Sequence, residues 1–236
     1  MSTSRLKKSL KKGLLRPIAE KLGIPRWTRK PAAYDLDNKL SVYLNFRNGV
    51  FVEAGGNNGI SQSNTFFLEK GLKWKGILVE AIPELYEKCR KIRTRSTVVH
   101  GGLVSNTYDK PTLKMHYAGL MSATADSMKA EALEEHIQAG LSCQKIAESY
   151  CIDVPAVTFE NILEENHITK IDFLSIDLEG YEIEALKGWN FTKHRPRYIL
   201  IEVRDLKQVD EFLEVRSYAR IDQFTCHDYL FRDKLS

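Results

Sequence analysis

The sequence predicts a doubly wound α/β domain, and three observations predict it. From Gly49 onward, short apolar runs alternate with helical stretches, the pattern of a parallel sheet covered on its faces by helices. The first run closes in a glycine turn, Gly55-Gly56-Asn57-Asn58-Gly59, where such a sheet passes from strand to helix. The 236 residues, 43% of them apolar and 28% charged, are enough for one substantial core. No apolar run approaches the ~20 residues that span a bilayer.

The elements follow in order. Residues 50–54 (Val-Phe-Val-Glu-Ala) form the first strand and 61–70 the helix after it. Residues 76–80 (Gly-Ile-Leu-Val-Glu) form the second strand, and Pro83, suited to a first helical turn, opens a helix to Arg93. A third strand at 97–100 reaches Gly101-Gly102, and 112–117 alternates like a half-exposed strand. Residues 126–150 read as a helix with Met128, Leu133, Ile137 and Leu141 on its apolar face and Gly140 as a break, so 119–155 stands as a helical insertion. The sheet pattern then resumes: strand at 171–177, helix at 181–187, strand at 198–203, and a closing antiparallel pair at 217–221 and 226–231.

Charge divides the chain in two. Residues 1–30 hold ten Lys and Arg against the single acid Glu20, a balance of +9, while the remainder is at −5. Leu6, Leu10, Leu14, Ile18 and Leu22 recur every four residues between the cations, which makes an amphipathic helix that Pro17 kinks or ends. We therefore divide the chain into a basic arm, 1–40, and a catalytic-sized domain, 41–236. The arm's apolar stripe suits docking on its own domain. It equally suits an anionic membrane surface, where each cation contributes ~1 kcal/mol, or another partner. The acidic body argues against a nucleic-acid phosphate groove. The N-terminus shows no secretory h-region, and the four cysteines (Cys89, Cys143, Cys151, Cys226) form no CxxC pair, so a reducing, cytoplasmic address is expected.

Ligands of open parallel sheets sit outside the carboxyl ends of the strands. Glu53-Ala54-Gly55-Gly56-Asn57-Asn58-Gly59 falls there, and Glu80 closes the next strand, placed to accept two ribose hydroxyls. Glycines at 55, 56 and 59 do not spell the dinucleotide GxGxxG, and the carboxylate of Glu53 beside the turn would repel a pyrophosphate. An ammonium and a sulfonium would suit it better, which favours S-adenosylmethionine over NAD. A purely structural glycine turn is the remaining alternative.

The stretch Ile171-Asp172-Phe173-Leu174-Ser175-Ile176-Asp177-Leu178-Glu179-Gly180-Tyr181-Glu182, running on to Leu186-Lys187-Gly188, resembles the DFLKIDVEGxExxVLKG signature of the FkbM family of methyltransferases. Phe51-Val52-Glu53-Ala54-Gly55-Gly56-Asn57-Asn58-Gly59 is similar to that family's FVEIGANDG turn. Ser61-Gln62-Ser63-Asn64-Thr65 with Leu72-Lys73-Trp74-Lys75-Gly76, and Glu80-Ala81-Ile82-Pro83-Glu84, follow in family order. Gly56 stands where the family has alanine, and Ala81-Ile82 replaces its usual proline-containing pair. The resemblance implies a Rossmann-like class I methyltransferase fold, with a mostly parallel seven-stranded sheet and an antiparallel C-terminal hairpin. It also implies S-adenosylmethionine as donor and O-methylation of a sugar hydroxyl in a glycan or glycolipid, or of a natural-product hydroxyl.

Expected cofactor contacts are Glu53, Gly55, Asn57, Asn58, Gly59, Glu80, Ala81 and Asp177. Moving a methyl to an alcohol needs alignment and removal of the hydroxyl proton. Asp177, ending a buried strand, is the expected base or acceptor-orienting group, with Glu179 two residues on. Glu202 ends the next strand and would converge on Asp177 if the strands are neighbours. The pair could hold Mg²⁺ or work without metal. Each of the six histidines is read first as structural, with His100 near the cofactor side.

Overall fold

The computed structural model describes residues 31–236. The amphipathic helix expected within residues 1–30 lies outside the described residues. Eleven strands and seven α-helices are described, and two sheets organise them.

The main sheet is built from β1 (Val50–Ala54), β2 (Lys75–Glu80), β3 (Thr97–His100), β8 (Ile171–Ile176), β9 (Pro196–Glu202), β10 (Tyr218–Gln223) and β11 (Asp228–Asp233). Its spatial order is β10-β11-β9-β8-β1-β2-β3. Strands β3, β2, β1, β8 and β9 pair in parallel, and β11 runs antiparallel to both β9 and β10. This is the mostly parallel seven-stranded sheet with an antiparallel C-terminal hairpin that the class I reading expects.

Alternation within each strand feeds two cores. Val52, Ala54, Leu174, Ile176, Ile199 and Ile201 face one layer. It is covered by α5 (Phe159–Glu165), α6 (Glu182–Leu186) and α7 (Leu206–Glu214). Phe51, Leu78, Phe173 and Leu200 face the other, with Leu68 of α2 (Phe66–Leu72) and Cys89 of α3 (Pro83–Ile92). Leu36 and Leu40 of α1 (Leu36–Leu40), together with Ala32 and Leu44, are buried in that same layer, so the last residues assigned to the arm pack as part of the body.

The region read as a helical insertion is corrected by the structure. Within it α4 (Ala130–Gln144) is the one α-helix, ended by Lys145 in the left-handed conformation, beside a short 3-10 turn at Gly119–Met121. The expected helix extends to residue 150, but residues 150–157 form the strand β7 (Tyr150–Val157), in which Ile152, Val154 and Ala156 alternate. Strand β7 pairs antiparallel with β5 (Thr112–Tyr117) and parallel with β4 (Gly102–Leu103). The short β6 (Ala123–Thr124) completes a second sheet, ordered β4-β7-β5-β6. Gly140 does not break the helix. It is buried where an added Cβ would meet Ala118 and Met121 at 3.0–3.1 Å.

The helix expected from residue 61 starts only at Phe66. Asn58 Oδ1 accepts the amides of Ile60 and Ser61, and Ser63 Oγ accepts that of Phe66, so local side chains hold residues 58–65 as a loop. The guanidinium of Arg93, fully buried, supports that loop from beneath. It donates to Ser63 Oγ (2.9 Å), Thr65 Oγ1 (2.6 Å), the Gly59 carbonyl (3.3 Å), Glu53 (3.4 Å) and Glu69 (3.0 Å). Burial alone would raise the Glu69 carboxyl, but Arg93, Lys70 and Ser96 bring it below its ordinary value. Replacing Arg93 by Met would take the buried cation away from two buried carboxylates, Glu53 and Glu69. We expect Arg93→Met to lower unfolding free energy by about 3–5 kcal/mol in urea titration; a loss under ~1 kcal/mol would show that the network is dispensable.

Candidate active site

The site lies at the carboxyl edge of the main sheet, where strand order reverses between β1 and β8. Ala54 ends β1 beside Ile176 on one side and Val79 on the other, and the chain beyond it tucks in tightly. The Gly55 and Gly56 amides donate to the Val79 carbonyl at 3.1 and 3.0 Å, and the Asp177 amide donates to the Ala54 carbonyl at 3.3 Å. Gly55 has φ +86°, and a Cβ there would sit 2.4 Å from the Asp177 carbonyl oxygen. Only glycine fits this crossing.

A cleft of about 840 Å³, counted to its mouth, opens above the turn. Of the residues expected to touch a cofactor, Gly55, Asn57, Glu80, Ala81 and Asp177 line it, as does Glu179. Glu80 is buried, and its carboxylate accepts the amides of Asn57 (2.6 Å) and Ile82 (2.8 Å), bracing the glycine turn from β2. Burial pushes its carboxyl up to about 7 despite those bonds.

Three expected contacts sit elsewhere. Glu53 turns its carboxylate away from the cleft to Ser63 Oγ, Thr65 Oγ1, the Asn64 amide and Arg93, so it organises the 58–65 loop. Asn58 ties the same loop. Gly59, at φ +80°, allows close packing on Cys89 and Arg93.

A second, more open space, about 1120 Å³ with the solvent at its mouth included, adjoins the first and shares Gln62, Leu120, Asp177 and Glu179 with it. Its wall adds Glu202, Arg204, His136 and His227, with Tyr34 among its lining residues. Strands β8 and β9 are neighbours, so Asp177 and Glu202 do converge. Their carboxyls stand close enough for each to act on the other's protonation. Asp177 is exposed to the space that the two cavities share. Burial, then Glu202, Glu179 and Glu182, hold its carboxyl well above the ordinary range. Burial and Asp228 raise Glu202 as well.

Glu179 stands in the left-handed region at φ +54°, followed by Gly180 at +98°. That turn is held by Glu182, whose carboxylate accepts the Leu178 and Gly180 amides, both at 3.0 Å. Burial and Glu202 push Glu179 up to about 7, against the pull of Arg204, which donates to it at 2.9 Å. Among the described residues no group of three or more His, Cys, Asp or Glu side chains is arranged to hold a metal ion.

The sequence places the 119–155 insertion beside the mouth of the site but singles out none of the wall residues that the second sheet and its loops supply: Met115, Gly119, Leu120, Ser122 and Thr124. Nor did it find His136 and Arg204, which meet each other at 3.2 Å. Gln62 belonged to a motif it had noted but carried no role. His100 packs on Tyr86 and contacts the Ala81 carbonyl, beside the cleft rather than in its lining.

The chain is similar to several solved structures at low identity. An RNA methyltransferase from Salinibacter ruber is 11% identical, with 86% of this chain and 92% of that one covered and a TM-score of 0.43. A caffeoyl-CoA O-methyltransferase-like protein from Staphylococcus aureus is 13% identical, with 93% and 90% covered and a TM-score of 0.44. An O-methyltransferase from Bacillus cereus is 15% identical, with 98% and 90% covered and a TM-score of 0.40. Likeness this distant says nothing about the acceptor. No curated protein matches the chain. The family model described as methyltransferase FkbM domain matches residues 53–232, which takes in the glycine turn, both carboxylate-bearing strand ends and the closing hairpin, and the chain belongs to that family of S-adenosylmethionine-dependent methyltransferases.

Proposed function

We propose that the chain methylates a hydroxyl of a sugar in a glycan or glycolipid, with S-adenosylmethionine in the 840 Å³ cleft and the acceptor in the adjoining cavity. The observation that carries this reading is the placement of Asp177, which lines both spaces, with Glu202 at the end of the neighbouring strand in the wall of the second.

The cleft fits a nucleoside donor. Gly55 lets the backbone lie close to a ligand, Glu80 offers a carboxylate at the β2 end for ribose hydroxyls, and Val79, Ile82, Leu103 and Leu178 supply apolar walls for a base. Bound there, the donor supplies an activated methyl group on a sulfonium. The chain's own residues do the rest. The turn and Glu80 fix one reactant, and the second cavity fixes the other; holding two reactants in line contributes up to ~7–11 kcal/mol of barrier reduction. Asp177 takes the hydroxyl proton, and its raised basicity suits it to that work near neutral pH. Glu202, at the end of the neighbouring strand, helps to keep Asp177 basic. Polar groups at Gln62, Glu202, Arg204 and His136 suit a hydroxyl-rich acceptor. The excess of carboxylates around both spaces favours a cationic donor.

Asp177→Asn keeps the size of the side chain and removes the base. Methyl transfer from labelled donor to a glycan panel should fall ~10²–10⁴-fold, with S-adenosylhomocysteine affinity held within about twofold by calorimetry. Loss of affinity and turnover together would mark Asp177 as structural. Chelator should leave the rate unchanged; loss on chelation, restored by Mg²⁺, would assign the carboxyl pair to a cation.

The pH profile has a definite sign. Asp177 acts when deprotonated and its carboxyl is raised, so kcat/KM rises with pH to a plateau, with an inflection above the ordinary carboxylate range. Glu179→Gln removes a neighbouring negative charge that raises Asp177, and the inflection should move to lower pH. A shift to higher pH would contradict the assignment.

The +9 arm is proposed to bring this site to anionic membranes that display the acceptor. Among the described residues no helix is long and apolar enough to cross a membrane. Co-sedimentation with phosphatidylserine vesicles should be lost when residues 1–30 are removed; equal sedimentation without them would refute the role.

A further inference from the structure

Thr124 carries a polar group for which the protein provides no partner. It is 5% exposed, it lines the cleft, and among the described residues its Oγ1 has no hydrogen-bond partner. Its carbonyl is satisfied by the amide and hydroxyl of Ser127, and the next amide, Ala125, donates to Lys114. Only the hydroxyl is left over. Ser122, two residues earlier in the same wall, differs: its hydroxyl accepts the Ala118 amide and donates to the Gly119 carbonyl. A buried hydroxyl without a partner is uncommon in folded proteins and calls for a group that arrives from outside.

The register indicates which part of a ligand that group belongs to. Thr124 in β6 lies directly opposite Met115 in β5, and directly paired residues of antiparallel strands project from the same face. Met115 is buried and lines the cleft together with Ile82, Leu103 and Tyr181, the apolar portion suited to a flat base. Glu80, the carboxylate suited to ribose, stands at the β2 end.

We propose that the Thr124 hydroxyl hydrogen-bonds the edge of the adenine ring, so that the second sheet, and not only the main one, reads the cofactor. This rests on the reading of the cleft as an S-adenosylmethionine site. The consequence is that the 102–157 region is part of the donor pocket, whatever it also does for the acceptor.

The test is calorimetric titration of the full chain with S-adenosylhomocysteine and with 5′-methylthioadenosine, which lacks the amino-acid end. Thr124→Val, nearly the same shape without the hydroxyl, should weaken both ligands by the same factor, about three- to tenfold. Thr124→Ser should stay within about twofold of the parent. Without ligand, Thr124→Val should melt no lower than the parent, because a buried hydroxyl without a partner has been replaced by a methyl. Should Thr124→Val fail to fold, Thr124→Ala carries the same comparison. Unchanged affinity would overturn the proposal, as would a loss confined to S-adenosylhomocysteine, which would put the contact at the amino-acid end. A parent protein that binds neither ligand would overturn the donor reading itself, and is recognised before any variant is made.

Discussion

The buried guanidinium of Arg93 is the constraint on which the site's geometry depends. It reaches the end of β1 through Glu53, the first turn of α2 through Glu69, and the connecting loop through Ser63, Thr65 and the Gly59 carbonyl. Phe51 and Phe66 lie within 5.3 and 5.9 Å of its charged carbon, so an aromatic environment surrounds the cation. A planar group with five donors can bind several loop oxygens at once, which a lysine could not do. Ser61 and Gln62, carried on this loop, then form part of the cleft wall. The carboxylate of Glu53, beside the glycine turn in sequence, is committed to this support.

On the other side of the turn the arrangement is reversed, with negative charge gathered and only partly answered. Glu80, Asp177, Glu179 and Glu202 all have carboxyls held above their ordinary values, each chiefly by burial. Arg204 offsets one of them. Glu179 is also held in a left-handed backbone conformation, a second local cost. Such a concentration of unfavourable local terms at one sheet edge is what a catalytic site demands, and two well-packed core layers offset it. The contrast between a satisfied cation below the turn and undersatisfied anions above it separates support from chemistry.

Much of the main sheet was legible in the sequence because buried parallel strands are written as unbroken apolar runs. Residues 171–177 and 198–203 announced β8 and β9, and their spacing put Asp177 and Glu202 at strand ends. The insertion was less legible. Ile152, Val154 and Ala156 alternate as a strand should, but the helical periodicity just before them extended the helix assignment too far. Gly140 looked like a break because sequence shows a missing side chain and not the neighbour that fills its place; Ala118 is that neighbour.

What the sequence by itself determined was the chemistry available and its approximate address: a glycine turn after the first strand, an acid closing the second, and acids closing two later ones. Those follow from local pattern, since strand ends and turns are encoded within a few residues. Tertiary structure alone decided which way each carboxylate points and what it meets. Glu53 and Glu80 end their strand runs in similar ways, yet one faces a buried arginine and the other a cleft. Thr124, His136 and Arg204 entered the walls only because a second sheet and its helix fold back over the first. Side-chain direction depends on contacts between residues tens of positions apart, and no short-range pattern carries that information.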